Sequence, residues 1–231
     1  MLWRGPVGGG AASGKMGAMV ASRARTTQYL KARVNTGRTI ASALQSVIRN
    51  AVSTLVALWS GGPDGLTADD RASWEQYALN VSKRNRLGDT IHVAGVNWFV
   101  GNNTVRSQLG GGIVTSAPTT FNTGDIDWSG TTWAHGGTSG TLTLDATPLA
   151  QGLGAGDFIG VYVSPAFSPG RTKWYGQSRL ARSIPGNAST ATFTMGLPFG
   201  DAGTTNSQQI SLRISRADGR VSSPFVLTVS P

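Results

Sequence analysis

The chain has 231 residues, of which 13% are charged, and its twenty basic residues against eleven acidic ones give a net charge of +9. It has no cysteine, which excludes disulfides and thiolate metal sites, and its two histidines, His92 and His135, stand too far apart in sequence for an imidazole-held metal centre to be expected. No apolar run approaches the roughly 18–20 residues of a membrane span. We therefore expect a soluble chain with no leader, no membrane partner, no cofactor and no small-molecule substrate.

The charge is uneven. Arg4, Lys15, Arg23, Arg25, Lys31, Arg33, Arg38 and Arg49 fall in the first fifty residues without a single Asp or Glu, whereas the remainder of the chain is nearly balanced. An acid-free basic run points to an interaction arm whose partners are phosphates or acidic protein surfaces. Its "GGGAASGKMG" carries Gly9-x-x-x-x-Gly14-Lys15, most of a phosphate-binding loop. Met16 occupies the position of the magnesium-binding hydroxyl, and Gly5, Pro6 and Gly8 break the strand that should precede the loop. A nucleotide site is not expected. "AMVASRA" and "TQYLKARV" alternate as strands do, yet residues 1–37 show no sustained periodicity and read as an extended arm.

From Thr39 to Trp59 the apolar residues Ile40, Leu44, Val47, Ile48, Ala51, Leu55, Leu58 and Trp59 recur every three or four positions, which predicts a helix. "SGGPDG" ends it. A second helix should follow Thr67 as N-cap, with Asp69 and Asp70 favouring its N-terminus. The short link predicts an antiparallel hairpin of these two helices, with Trp59 and Trp74 near its closed end. Arg71 and Glu75 suit a surface i,i+4 pair. Lys83, Arg84 and Arg86 read equally as a basic patch or as cations at a helix end. "VNWFVGNNTVRSQLG" suggests a third helix, with Gly101 and two asparagines against it. The predicted core of this helical unit, residues 38–110, is Leu44, Val47, Ile48, Leu55, Trp59, Trp74, Tyr77 and Trp98.

Beyond residue 110 the texture changes to short alternating runs: "GTLTLDA", "DFIGVYVSP", "KWYGQSRLARSI", "ATFTMGLP", "QISLRISRA" and "PFVLTVSP". Gly-, Asp-, Asn- and Pro-rich turns separate them, and Asp218-Gly219 is the clearest hairpin signal. The pattern predicts an α+β chain: an N-terminal extended arm (1–37), a small helical hairpin unit (38–110) and an immunoglobulin-like or fibronectin-III-like antiparallel β-sandwich (111–231).

Catalytic constellations are scarce. Asp125 and Asp127 form an i,i+2 carboxylate pair that reads as a solvated turn before a calcium site. His135 and Ser139 are close in sequence, but "GGTSG" has its serine displaced from a nucleophile elbow. No catalytic, cofactor or metal residue is assigned.

Gly14, Lys15 and Gly17, then Leu66, Thr67, Arg71 and Trp74 ("L-T-x-x-x-R-x-x-W"), then Asn97, Trp98 and Phe99 resemble a loosely defined group of uncharacterised phage and prophage proteins. "VNTGRTIASAL" departs from that group, which carries a proline- and glutamine-bearing linker there. The resemblance implies a virion structural protein without catalytic residues, with Gly14-Lys15-x-Gly17 as a tight turn in an assembly arm. Its partners would be other virion proteins and copies of itself. Assembly or nucleic-acid contacts would fall to Arg4, Lys15, Arg23, Arg25, Lys31, Arg33 and Arg38. Two other readings stand beside it: a nucleic-acid-binding protein lining a capsid, and a sandwich-borne adhesin or glycan-binding module using Trp128, Trp133 and Trp174.

Overall fold

The computed structural model describes residues 14–16, 19–24, 27–32, 43–61, 64–84, 89–121, 125–168, 170–171, 174, 176, 178–200, 203 and 206–229; for 14–32, Ala43, Leu44 and Arg84 it describes the backbone alone. The chain divides into two compact units, Met1–Ala43 and Leu44–Pro231.

In the first unit three strands, β1 (Gly14–Met16), β2 (Met19–Ala24) and β3 (Thr27–Ala32), form an antiparallel sheet in the order β1-β2-β3. The expectation of an arm extended along other molecules is corrected for these residues, which pair with one another. The register sets Met16 opposite Met19 and Ala24 opposite Thr27, so each short alternating run pairs back on the one before it.

The second unit, from Leu44 on, holds all but the first residue of α1 (Ala43–Ser60), then α2 (Ala68–Asn80) and α3 (Gly95–Gln108). Thr67 caps α2 as its sequence predicts: its hydroxyl accepts the Asp70 N–H at 3.1 Å, and the Asp70 carboxylate accepts the Thr67 N–H in return. The expected hairpin is not α1 with α2. The closely packed pair is α2 with α3, because Gly95 lets α3 start against the α2 backbone: a Cβ there would lie 2.7 Å from Glu75 N. Leu55, Leu66, Trp74, Tyr77, Ala78, Val81, Trp98 and Phe99 make the core. Trp59 and Trp74 each meet Phe99 at 5.7 Å between ring centroids.

Glu75 and Arg71 do not pair. Glu75 accepts the Gly95 N–H at 2.9 Å and so caps α3, while Arg71 donates to the Trp59 carbonyl at 3.3 Å. Both side chains satisfy helix ends, which helical spacing alone does not reveal. The asparagines of α3 are likewise structural. Asn103, 1% exposed, accepts the Val114 N–H at 2.7 Å and donates to the Val114 and Phe99 carbonyls. Asn102 donates to the Gly219 carbonyl at 3.0 Å. Residues 111–117 consequently lie along α2, with Trp74 Nε1 donating to Thr115 O at 2.6 Å and Ser73 Oγ accepting the Ala117 N–H.

Lys83 and Arg84 form β4 (Lys83–Arg84), paired with β5 (Thr90–Ile91), so they decorate a small ribbon and not a helix end. Among the described residues seven further strands follow: β6 (Thr132–Gly136), β7 (Ser139–Thr143), β8 (Phe158–Val163), β9 (Arg179–Pro185), β10 (Thr192–Gly196), β11 (Gln208–Ser215) and β12 (Phe225–Val229). They make two antiparallel sheets, β10-β7-β6 and β12-β11-β8-β9. The sheets face each other over one core, with Trp133, Leu142, Phe193 and Met195 from the first and Ile159, Val161, Val163, Ile184, Ile210, Leu212 and Ile214 from the second. β6 escapes sequence detection because Trp133 is its only buried side chain. Asp218-Gly219 forms the expected turn, with Gly219 at φ 93° and its N–H donating to Arg216 O.

α3 joins the outer face of the larger sheet. Leu109 packs where Gly160 leaves room, since a Cβ at Gly160 would lie 2.7 Å from the leucine, and Ser183 Oγ donates to Leu109 O at 2.7 Å. Arg106, 8% exposed, donates to the carbonyls of Gly112 (2.8 Å), Gly156 (3.0 Å) and Arg216 (2.8 Å). Helix and sheets are thus bound by one buried cation bonded to three backbone carbonyls.

Candidate assembly surfaces

The sequence of α1 is nearly uncharged, with Arg49 its only ionised side chain. Leu44, Ile48, Ala51, Leu55 and Leu58 follow one another at alternating steps of four and three, which places them on one line along the helix. The C-terminal part of that line is docked: Leu55 is 1% exposed, and Leu58 and Trp59 pack half-buried on the helical core. The N-terminal part is open. Val47 is 60% exposed and Ile48 38%, so neither belongs to the core for which helical periodicity selected it. The cause is chain direction. Leu66 N–H bonds back to Leu58 O at 2.8 Å, and α2 then pairs with α3, which leaves the first three turns of α1 without a neighbouring helix among the described residues. The side chain of Leu44 lies outside the described residues.

Of the basic positions, Lys15, Arg23 and Lys31 lie in strands. Val20 opposes both Lys15 and Lys31 in register, so the two lysines share a sheet face, while Arg23 falls on the other face with Met19 and Ala21. Arg4, Arg25, Arg33 and Arg38 lie outside the described residues. Lys15 sits within a strand paired with β2, in extended backbone from Gly14 to Met16; Gly17, which completes the turn implied by the resemblance, lies outside the described residues.

A second cationic feature adjoins the helical core. Lys83 Nζ lies 4.1 Å from the centroid of the Trp98 ring. Partial burial, with a smaller contribution from the charge of Arg213, holds its pKa below the ordinary lysine value. The side chain of Arg84, and Arg86 altogether, lie outside the described residues.

The remaining candidates resolve into structure. Asp127 accepts from the N–H and hydroxyl of Ser129, the first of which holds its carboxyl below the usual range, and Asp125 accepts the Ser223 N–H at 3.0 Å. With Asp145 and Arg216 they line a cavity of about 360 Å³. Among the described residues no group of three or more His, Cys, Asp or Glu is arranged to hold a metal ion. His135 opposes Gly140 and Ser139 opposes Gly136, so register puts His135 and Ser139 on opposite faces of their hairpin, unable to act as a pair. Trp128 and Trp133 are core residues, 7% and 5% exposed, and Trp174 stacks on Phe167 at 5.9 Å, which removes two of the three rings on which glycan binding rested. Sequence reasoning missed Asn102, Asn103 and Arg106; polar residues in a helix otherwise carrying Trp98, Phe99 and Leu109 were their only signal. No helix among the described residues is long and apolar enough to cross a membrane.

The chain matches no family model and no curated protein sequence.

Proposed function

We propose that this chain is a non-enzymatic structural component of a phage-like particle, present in many copies and held there by its surfaces. The single observation that carries the reading is the half-docked α1: an apolar stripe buried at Leu55 and open at Val47 and Ile48. Isolated exposed hydrophobes need no explanation, whereas a stripe continuous with a core marks an interaction surface. The acid-free basic N-terminal unit supplies a second contact, toward acidic protein surfaces. The two facing sheets suit a projecting or gap-filling module of fibronectin-III-like type. Supporting that finer assignment is the pairing of the fourth strand, β9, with the third, β8, whereas in the constant-type immunoglobulin arrangement the fourth strand joins the sheet of the first two.

Co-sedimentation tests the proposal. Purified particles should carry the chain at a fixed stoichiometry to their major shell subunit, through repeated washing in high salt. Its absence from particles, or a variable trace, ends the reading.

A nucleic-acid contact is the second reading, favoured by the shared face of Lys15 and Lys31. If about six charges of the N-terminal unit meet duplex phosphates, log K should fall against log salt with a slope of about −5. A flat salt profile removes it.

A further inference from the structure

We infer that the exposed half of α1 is a self-association seam, packing against the same segment of a second copy of this chain. This names the partner within the assembly reading and so rests on it, although the two are tested apart.

The phase of the apolar line is the first argument. Steps of four and three from Leu44 to Leu58 are the repeat by which a helix keeps one line facing another helix along its length. The molecule's own core uses the end of that line at Leu55 and Leu58, and the line continues outward through Ala51 and Ile48, with exposed Val47 beside it.

Charge selects the occupant. Positions beside such a seam ordinarily carry the charges that choose a partner or repel a copy. Here they are Gln45, Val47, Val52 and Thr54, all uncharged, and Arg49 falls on the outward side of the wheel. A charged partner would find no counter-charge on this face. Two copies of a +9 chain, moreover, approach most favourably where they are neutral, and Arg49 is the only ionised side chain from Thr39 to Pro63. The stripe is matched by itself.

Size sets the strength. Three helical turns span about 16 Å, too short a contact to bury the roughly 1,200 Å² of a free-standing specific interface. Pairing through α1 alone is therefore weak and concentration-dependent, and it becomes firm when other contacts hold copies side by side.

The chain, lacking cysteine, permits a direct test. Sedimentation velocity over a rising concentration series should show reversible self-association of the wild type. Ile48→Glu should weaken it by about tenfold or more, with unchanged far-UV circular dichroism showing that an exposed position was altered without unfolding. Under mild oxidation Ile48→Cys should cross-link between copies much faster than Ser53→Cys, which sits on the opposite face of the helix. Equal cross-linking of the two variants, or unaltered self-association of Ile48→Glu, overturns the seam. So does a wild type that stays monomeric throughout the series. Such failures leave co-sedimentation with particles untouched; conversely, a seam that forms in the purified chain while particles lack the protein keeps this inference and ends the assembly reading.

Discussion

Val47 and Leu55 stand eight residues apart on one side of α1, yet Val47 is 60% exposed and Leu55 1%. The two have the same local sequence signature. What separates them is that the polypeptide turns back at Leu58 and, among the described residues, brings α2 and α3 only to the C-terminal end of α1.

Arg106 ties α3 to the sheets by donating to three carbonyls. Arg106→Met keeps much of the aliphatic volume and removes every donor. Leaving buried carbonyls unpaired costs about 1–3 kcal/mol each in the worst case, so we expect a loss of about 2–4 kcal/mol in urea unfolding. Arg106→Lys should recover only part, since one ammonium cannot reproduce the planar fork. A loss below about 0.5 kcal/mol for Arg106→Met, the range of an ordinary surface substitution, counts against this role.

Gly95 admits no side chain. A Cβ at this position would lie 2.7 Å from both Glu75 N and the Trp74 carbonyl carbon, which are backbone atoms and unable to step aside. Gly95→Ala should cost about 1–3 kcal/mol through forced separation of α2 and α3, even though alanine is the better helix former. Thermal melts that rise would show that the helices part freely.

Asp70 is held below the usual carboxylate range, first by the Ser116 hydroxyl, then by Thr67. A lowered folded pKa means stability that is present above the unfolded value, about 3.9, and lost as pH falls through the lower folded value. Asp70→Asn should therefore reduce stability near neutral pH, by about 1 kcal/mol for the cap, and flatten the acid limb below about pH 4. Parallel acid limbs for the two proteins would contradict the assignment.

Lys83 has the opposite linkage. Its pKa is depressed by partial burial and then by Arg213, so the cation is penalised in the folded state at neutral pH and the penalty lifts as pH rises through the folded toward the unfolded value. Arg213→Gln should move the Lys83 titration upward, read by NMR of the lysine side chain, and slow its labelling by amine reagents. An unmoved titration would show that the two groups do not sense each other.

Short-range physics made much of this molecule legible. The Thr67 cap, the Asp218-Gly219 turn and the alternation of β11 and β12 depend on residues a few positions apart, and all three stand where periodicity and turn chemistry place them. The same locality explains the failures. Arg71 and Glu75 have the spacing of a pair, but their better partners, Trp59 O and Gly95 N, are twelve and twenty residues away. Asn102 and Asn103 weaken a helix by propensity and strengthen it by bonds to Gly219 and Val114. β6 has too few inward side chains to announce itself. The sequence alone determined which segments are amphipathic and where the charge lies. Only the tertiary structure decided which half of an amphipathic helix found a neighbour, because burial depends on where the chain goes next, which no periodicity within the helix encodes.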